Sequence, residues 1–239
     1  MNVALIGYGK MGKTIESLSG EMNFTVTHKF DELNPFEKCS DLKVDVAIDF
    51  TTPDLAVRHI IHAINLKIPI VVGTTGWYDR FNEVCEYVKN NDGSLFYATN
   101  FSLGVNLFFN LTEKFTKLMN PHQSYTASLE EIHHTEKLDA PSGTAITIGE
   151  KLIGSSTQYK SFELIENKET QFNTSILPIR AIREPNVPGT HTLKFESDVD
   201  FIEIKHEAKG RLGFAKGSVL AAKYIIGKTG IHTMSDLLK

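Results

Sequence analysis

Short apolar runs alternate with amphipathic stretches through the first hundred residues of the chain. The apolar runs predict five strands, at residues 3–6, 24–28, 44–50, 68–72 and 94–98. The stretches between them carry apolar residues at helical spacing and predict helices at residues 11–22, 54–66 and 78–89. Strands that alternate with helices predict an α/β fold with a Rossmann-type doubly wound parallel sheet, which binds ligands at the carboxyl ends of its strands.

The pattern changes after residue 103, and strands then dominate. A helix is predicted at 105–119, followed by strands at 124–132, 175–182, 189–195 and 201–207 and by helices at 140–153 and 213–226. The polar stretch at 154–170 predicts a loop or a sheet edge. These elements predict a second α+β domain with an open mixed sheet, whose exposed apolar face favours a subunit contact.

Composition places the chain among ordinary globular proteins. Of its 239 residues 41% are hydrophobic and 23% charged, and the formal net charge is −4 with no dense basic tract, so nucleic acid and anionic membranes are poor partners. No apolar run approaches the roughly 18 residues of a membrane span, and the first residues are strand-like rather than a secretory signal, so we expect a cytoplasmic protein. Cys39 and Cys85 are too few and too far apart to predict disulfides or a zinc site.

A glycine turn follows the first predicted strand. Its sequence is Gly7-Tyr8-Gly9-Lys10-Met11-Gly12, in the order strand, turn, helix. Gly7 suits a tight turn, Gly9 lets the backbone approach a pyrophosphate, and Gly12 allows the helix to pack closely on the strand. We therefore predict a dinucleotide site, the alternative being a glycine turn that binds no nucleotide.

The second predicted strand leaves the choice of dinucleotide open. An acidic residue usually ends this strand and binds the adenine ribose, but here the chain reads His28-Lys29-Phe30 and then Asp31. Lys29 is suited to a 2′-phosphate and Asp31 to a free 2′-hydroxyl. The cofactor is therefore expected to be NADH or NADPH.

Two imidazoles and an ammonium lie close together in the segment 133–145. His133 and His134 end a predicted strand, and Lys137 follows three residues later. Either imidazole is suited to donate a proton at neutral pH, because the unperturbed pKa of histidine lies in that range. Lys137 adds a full positive charge, so the segment predicts a site that binds a carboxylate and donates a proton.

The helix that follows this loop supports the same interpretation. Pro141 and Ser142 precede its start, and backbone N–H groups at Gly143 and Thr144 favour an anionic ligand. Asp139 has an alternative structural role as the cap of this helix.

A metal site is the rival interpretation of the two histidines, with Glu130 or Glu131 as a third ligand. Adjacent residues on a strand point to opposite faces, so His133 and His134 would not converge on one ion. We therefore expect no metal ion.

The motif in this segment resembles that of the dihydrodipicolinate reductase family. The family pattern E-x-HH-x-x-K-x-DAPSGTA is matched by Glu131, His133, His134, Lys137, Asp139 and residues 140–145. Further resemblances occur at residues 73–76, 100–102, 183, 189, 191, 214–217 and 234–238. The resemblance therefore covers nearly the whole chain.

The resemblance implies an enzymatic activity and a separate role for each domain. It implies NAD(P)H-dependent reduction of 4-hydroxy-tetrahydrodipicolinate to tetrahydrodipicolinate, in lysine and diaminopimelate biosynthesis, by a homotetramer. Residues 1–103 would bind the nicotinamide dinucleotide, residues 104–211 would bind substrate and build the oligomer, and the helical segment 212–239 would return to the first domain.

The resemblance also implies roles for individual residues. His133 would donate the proton, and Lys137 would act as a second acid or charge stabiliser. The substrate would be bound by His134, Ser142, Gly143, Thr144 and Arg183. The cofactor would be bound by Gly7, Tyr8, Gly9, Lys10, Met11, Gly12, Lys29, Gly73, Thr74, Thr75, Thr99, Asn100, Phe101 and Ser102.

The chain departs from the family pattern at two points. Lys29 lies where an acidic residue is common, and Pro185 lies where a glycine is usual. We still expect Arg183, two residues earlier, to approach a carboxylate. The alternatives are another two-domain NAD(P)-dependent dehydrogenase and a catalytically inert nicotinamide-binding sensor.

Overall fold

A computed structural model describes residues 1–165 and 174–239. Its strands are β1 (Asn2–Ile6), β2 (Thr25–Phe30), β3 (Val46–Asp49), β4 (Ile70–Val72), β5 (Ser94–Tyr97), β6 (Thr126–His133), β7 (Ser161–Ile165), β8 (Ile176–Arg183), β9 (Thr190–Glu196), β10 (Phe201–Glu207) and β11 (Gly230–His232). Its helices are α1 (Lys10–Glu16), α2 (Ser19–Met22), α3 (Pro53–Asn65), α4 (Phe81–Asn90), α5 (Leu103–Met119), α6 (Gly143–Ser155), α7 (Leu212–Ile225) and α8 (Met234–Leu237). One-turn 3₁₀ helices occur at Phe36–Lys38 and Tyr78–Arg80.

The chain divides into two compact units. One contains residues 1–103 and 211–239, and the other contains residues 104–210. The C-terminal segment belongs to the first unit, where β11 pairs with β5. None of the described helices is long and apolar enough to cross a membrane.

The first unit is built on a six-stranded sheet in which all paired strands are parallel. The strand order is β11-β5-β4-β3-β1-β2. Successive residues of β1 enter two different cores: Ala4 and Ile6 pack with α3 and α4, whereas Val3 and Leu5 pack with α1 and α7. Because both faces are covered, the strands are apolar throughout rather than alternating.

The second unit is built on a five-stranded mixed sheet with the order β10-β9-β6-β8-β7. Strands β6, β8 and β7 run parallel to one another, and β9 is antiparallel to both β6 and β10. Leu129, Ile179 and Leu193 share one core with α5 and α6. The predicted fold class, a Rossmann-type sheet with a second α+β domain, is confirmed.

Several predicted boundaries differ from the structure. The helix predicted at 11–22 is two helices, because the Ser17 hydroxyl donates to the Thr14 carbonyl (2.7 Å) and Leu18 N–H donates to Ile15 (3.0 Å). The helix predicted at 140–153 begins only at Gly143, since Ser142 is extended and caps it.

The C-terminal part of the chain holds elements that the pattern did not predict. The region predicted as a loop or edge at 154–170 contains the edge strand β7, and residues 166–170 lie outside the described part of the chain. Strand β11 and helix α8 were missed because they are only three and four residues long.

Candidate active site

The glycine turn of the first unit is sterically constrained at two of its three glycines. Gly7 has φ +88°, and a Cβ there would lie 2.2 Å from the Phe50 carbonyl oxygen. A Cβ at Gly12 would lie 2.5 Å from the Gly7 oxygen, whereas one at Gly9 would meet nothing within 4 Å. Protein atoms thus fill the space beside Gly7 and Gly12, whereas the space beside Gly9 is open. This arrangement fits close approach of a dinucleotide to Gly9.

A cavity of about 650 Å³ lies beside this turn. The residues that line this cavity include three acids, Asp31, Glu32 and Glu37. No lysine or arginine is among the described lining residues. Lys29 points instead to other partners: its Nζ lies 2.7 Å from Glu16 Oε1 and 3.2 Å from the Tyr8 hydroxyl, and Tyr8 donates to Glu16. The Asp31 carboxylate accepts from the N–H groups of the two residues at 33 and 34.

The ends of β4 and β5 contribute the remaining predicted cofactor residues. A Cβ at Gly73 would lie 2.1 Å from the Phe50 ring, and the buried Thr74 hydroxyl donates to Asp49 (2.6 Å). After β5, Asn100 Oδ1 accepts from Ser102 N–H (2.8 Å), and the Phe101 side chain is buried. Thr75, Thr99 and Lys10 are exposed, and Met11 is half-buried.

The second unit holds a carboxylate, Glu131, with no solvent exposure. Its Oε1 accepts from Ser142 N–H (2.9 Å) and lies 3.6 Å from an Arg183 nitrogen. Its Oε2 lies 3.4 Å from His133 Nδ1 and 3.6 Å from His191 Nε2. Burial raises the pKa of Glu131, but the contacts with His191 and Ser142 and the nearby His133 outweigh burial and lower the pKa to about 2.

Strand register brings this cluster together. Residues 131 and 133 are two apart on β6 and therefore share a face. Glu131 is opposite His191 on β9, and His133 is opposite Arg183 on β8. The His133 and His191 rings meet edge to face, with centroids 5.1 Å apart.

His133 is uncharged at neutral pH in this environment. It is 7% exposed, and burial lowers its pKa to about 4, aided by His191, Lys137 and Arg183 and opposed by Glu131. The expectation that an unperturbed imidazole donates the proton at neutral pH is therefore wrong for the unliganded site, because desolvation disfavours the imidazolium. His134, the first residue after β6, has a buried Nδ1 with no hydrogen-bond partner among the described residues.

Lys137 and Arg183 organise the loop after β6. Lys137 Nζ donates to both oxygens of Asp139, at 2.8 and 2.9 Å. Arg183 donates to the carbonyl oxygens of Lys137 (3.1 Å) and Asp139 (2.6 Å). Arg183 thus contacts the loop backbone and also lies 3.6 Å from the Glu131 carboxylate. Its expected contact with a substrate carboxylate stays a prediction.

Ser142, and not Asp139, caps the helix that follows the loop. The Ser142 hydroxyl accepts from Ala145 N–H (3.1 Å) and lies 3.3 Å from His191 Nε2. Asp139 is instead the ion-pair partner of Lys137. The first residues of α6, Gly143 and Thr144, consequently lie next to the buried cluster through Ser142.

Three side chains could hold a metal ion, and two of them, Glu131 and His133, are among the ligands weighed from sequence, whereas His191 takes the place of His134. Ligand atoms of Glu131, His133 and His191 lie within 4.8 Å of one another. His134 does not belong to this group, in agreement with the argument from strand geometry. The cations Lys137 and Arg183, which already lower the pKa of His133, oppose a further positive charge here.

The sequence predicted no role for His191, although this residue belongs to the buried cluster. The family motif marked it, but no role followed, because its partner Glu131 lies 60 positions earlier and only the β6–β9 register joins them. A sequence signal did exist for the other two members of the cluster, because Glu131 and His133 continue the alternation begun by Ala127 and Leu129 along β6.

A Rossmann-type unit with a glycine crevice and a mixed-sheet unit with a buried acid–imidazole cluster define a nicotinamide-dependent oxidoreductase. Residues 1–101 match the family model described as dihydrodipicolinate reductase, N-terminus, and residues 104–238 match that described as dihydrodipicolinate reductase, C-terminus. The chain belongs to the dihydrodipicolinate reductase family, and the resemblance noted from sequence is confirmed.

Curated relatives agree with this assignment. The chain is 46% identical over 238 residues to a 4-hydroxy-tetrahydrodipicolinate reductase of Christiangramia forsetii, an alignment that covers 100% of this chain and 98% of the relative. It is 34% identical over 197 residues to the enzyme of that name from Neisseria meningitidis, covering 81% of this chain and 72% of the relative.

A solved structure shares the fold. The dipicolinate-bound dihydrodipicolinate reductase from Paenisporosarcina sp. TG-14 has a TM-score of 0.73 at 19% identity, covering 98% of this chain and 97% of that one.

The buried His133 predicts a specific pH dependence of stability. Its folded pKa of about 4 lies below the unfolded value of about 6.5, so the unfolded chain binds a proton first as the pH falls. The contribution of the neutral His133 to the free energy of unfolding is complete above pH ~6.5. It is lost as the pH falls toward ~4, a decrease of about 3 kcal/mol. Urea unfolding at a series of pH values measures this loss.

His133→Gln removes that part of the pH dependence. The exposed His122→Gln is the control and should retain it. Equal pH dependence in the wild type and His133→Gln would contradict the buried, neutral imidazole.

Proposed function

We propose that the chain catalyses the NAD(P)H-dependent reduction of 4-hydroxy-tetrahydrodipicolinate to tetrahydrodipicolinate in lysine and diaminopimelate biosynthesis. The observation that carries this proposal is the buried Glu131–His133–His191 cluster, with Lys137 and Arg183 beside it. Two relatives that bear the name of this activity support it. In the reaction a hydride and a proton are added and water is lost.

The residues of the first unit fit the nicotinamide cofactor, which supplies the hydride when bound. Gly7, Gly9 and Gly12 would carry the pyrophosphate, because the turn is closed on one side and open at Gly9. The ends of β4 and β5 would bound the rest of the site through Gly73 to Thr75 and Thr99 to Ser102.

Residues of the second unit would bind the two substrate carboxylates. Burying such charges requires cations and hydrogen-bond donors, since an unpaired ion in a low-dielectric site is costly. Lys137 and Arg183 would supply the charge. His134, Ser142, Gly143 and Thr144 complete this proposed set by their position in the motif and next to the start of α6.

His133 would donate the proton after the substrate has changed its charge environment. Alone, the imidazole is neutral because burial lowers its pKa to about 4. Two incoming carboxylates would favour the imidazolium and raise that pKa, so proton uptake would accompany substrate binding. Glu131 would orient the ring from 3.4 Å and stabilise the positive charge.

A homotetramer is part of the same proposal. Val199, Phe201 and Ile202 are exposed apolar side chains in and before the edge strand β10, with Phe201 57% exposed. Such exposure in the mixed sheet supports a subunit contact. A cytoplasmic location stays a prediction from sequence.

Substitution of the two proposed catalytic residues tests the mechanism. His133→Gln and Lys137→Ala should each lower kcat by about 10²-fold or more while NADH affinity stays within about twofold of wild type, because neither residue lies in the dinucleotide unit. The assay follows NADH absorbance with freshly generated product of dihydrodipicolinate synthase, and NADH titration gives the affinity.

The exposed Lys160→Ala serves as the control for loss of a lysine elsewhere in the same unit. Near-normal rates for both His133→Gln and Lys137→Ala would refute their roles. No turnover by the wild-type protein would refute the proposed activity and favour an inert nicotinamide-binding protein or another dehydrogenase.

The charges around the dinucleotide cavity favour NADH over NADPH. A 2′-phosphate would meet the carboxylates of Asp31, Glu32 and Glu37, while Lys29 is engaged by Glu16. We predict a kcat/KM for NADH at least about tenfold above that for NADPH, or about 1.4 kcal/mol. Steady-state kinetics with both cofactors measures the ratio.

Releasing Lys29 should narrow this preference. Glu16→Gln removes its ion-pair partner and should improve kcat/KM for NADPH by about threefold or more, the scale of an exposed ion pair. Glu21→Gln is the matched control, since Glu21 pairs with Lys216 instead. Equal use of NADH and NADPH by the wild type would overturn the assigned preference.

A further inference from the structure

A second buried carboxylate, Asp49, ends strand β3 in the first unit. It has no solvent exposure. It accepts hydrogen bonds from Thr51 N–H (3.1 Å), the Thr51 hydroxyl (2.9 Å) and the Thr74 hydroxyl (2.6 Å), and it lies 2.5 Å from His59 Nδ1. None of the roles proposed above uses Asp49.

His59 links this carboxylate to the wall of the dinucleotide cavity. It lies on α3 and is 3% exposed, and its Nε2 is 3.4 Å from Glu37, which lines the cavity. Burial lowers the pKa of His59, but Asp49 and Glu37 outweigh burial and raise the pKa above its ordinary value. A continuous chain of polar contacts, Asp49–His59–Glu37, therefore runs from the end of β3 to the cavity.

The segment 49–51 lies between the two glycine turns of the crevice. Phe50 N–H donates to Ile6 (2.9 Å), and the Phe50 carbonyl occupies the space beside Gly7. On the other side, Gly73 N–H donates to the Asp49 carbonyl (2.9 Å), and the Phe50 ring fills the space beside Gly73. A shift of this segment would therefore displace both turns.

A buried carboxyl group requires partners that are held in place, because a buried polar group left without a partner is strongly destabilising. Asp49 has partners on three elements: the loop after β3, helix α3 and the loop after β4. Loss of the carboxylate would remove the common hydrogen-bond acceptor of Thr51 and Thr74. The effect would be greatest at the dinucleotide crevice, where these residues lie.

We infer that Asp49 and His59 are positioning residues of the dinucleotide site. They hold Thr51, Thr74 and the segment between the glycine turns in the arrangement that the cofactor needs, without contacting the reacting atoms. This inference rests on the proposed use of a nicotinamide cofactor.

The test compares cofactor affinity with affinity for a substrate-like ligand. In Asp49→Asn and His59→Leu, the dissociation constant for NADH should rise about tenfold or more, while that for pyridine-2,6-dicarboxylate should stay within about twofold. Calorimetric titration of the full chain measures both constants. A loss of general stability would affect both ligands.

His62→Leu is the matched control. His62 lies one turn further along α3 and packs on the same ring as His59, with centroids 4.8 Å from Phe36 against 5.8 Å for His59. Its Nε2, however, contacts the Cys39 carbonyl (2.9 Å) and not Asp49. Affinity for NADH should therefore be unchanged in this variant.

A pair of variants at Thr51, which is not among the proposed cofactor-binding residues, tests the inference where Asp49→Asn or His59→Leu does not fold. Thr51→Val removes the hydroxyl that donates to Asp49 at nearly constant volume and should weaken NADH binding, whereas Thr51→Ser retains the hydroxyl and should restore it.

The outcomes separate this inference from the proposed function. Wild-type protein that does not oxidise NADH with substrate would defeat the proposed function. If the wild-type protein turns over, two results would overturn the positioning role alone. One is a dissociation constant for NADH in the folded variants within about twofold of the wild-type value, and the other is an equal loss of affinity for NADH and for pyridine-2,6-dicarboxylate.

Discussion

A buried, ionised carboxylate is the constraint on which the second unit depends. Glu131 has no solvent exposure, so its charge is compensated by protein groups, although only Oε1 accepts a hydrogen bond among the described residues. Ser142 N–H and Arg183 lie at one oxygen, and two imidazoles lie at the other. These contacts connect Glu131 to the start of α6 through Ser142, and to the loop after β6 through Arg183.

The first unit also contains a fully buried carboxyl group, with different residues as its partners. This acid is Asp49, the last residue of β3, and its partner is again an imidazole, here on helix α3 rather than on a strand. In both units the acid joins a strand end to loops that carry proposed ligand-binding residues. The two carboxylates differ in consequence: Asp49 and Glu37 together raise the pKa of His59, whereas burial and nearby cations prevail at His133 and lower its pKa.

The sequence predicted the elements with strong periodicity and the motifs that are local in the chain. The parallel sheet, the glycine turn and a helix start preceded by Pro141 and Ser142 belong to this group, because each follows from a local sequence pattern. The cap itself was assigned to Asp139 as an alternative, whereas Ser142 provides it. The break at Ser17 was missed, since a serine hydroxyl competing for one carbonyl leaves the apolar spacing unchanged. The engagement of Lys29 by Glu16 and the meeting of Glu131 with His191 depend on tertiary contacts and register. The lowered pKa of His133 required its burial to be known.

The charge state of His133 can be measured directly, and it tests whether the buried imidazole is neutral until a dicarboxylate binds. NMR titration of the ring, assigned by comparison with His133→Gln, measures its pKa in the free protein and in the presence of pyridine-2,6-dicarboxylate. We expect a pKa of about 4 for His133 in the free protein and a clear upward shift when the dicarboxylate binds. A pKa near the unperturbed ~6.5 that does not respond to the ligand would contradict this expectation.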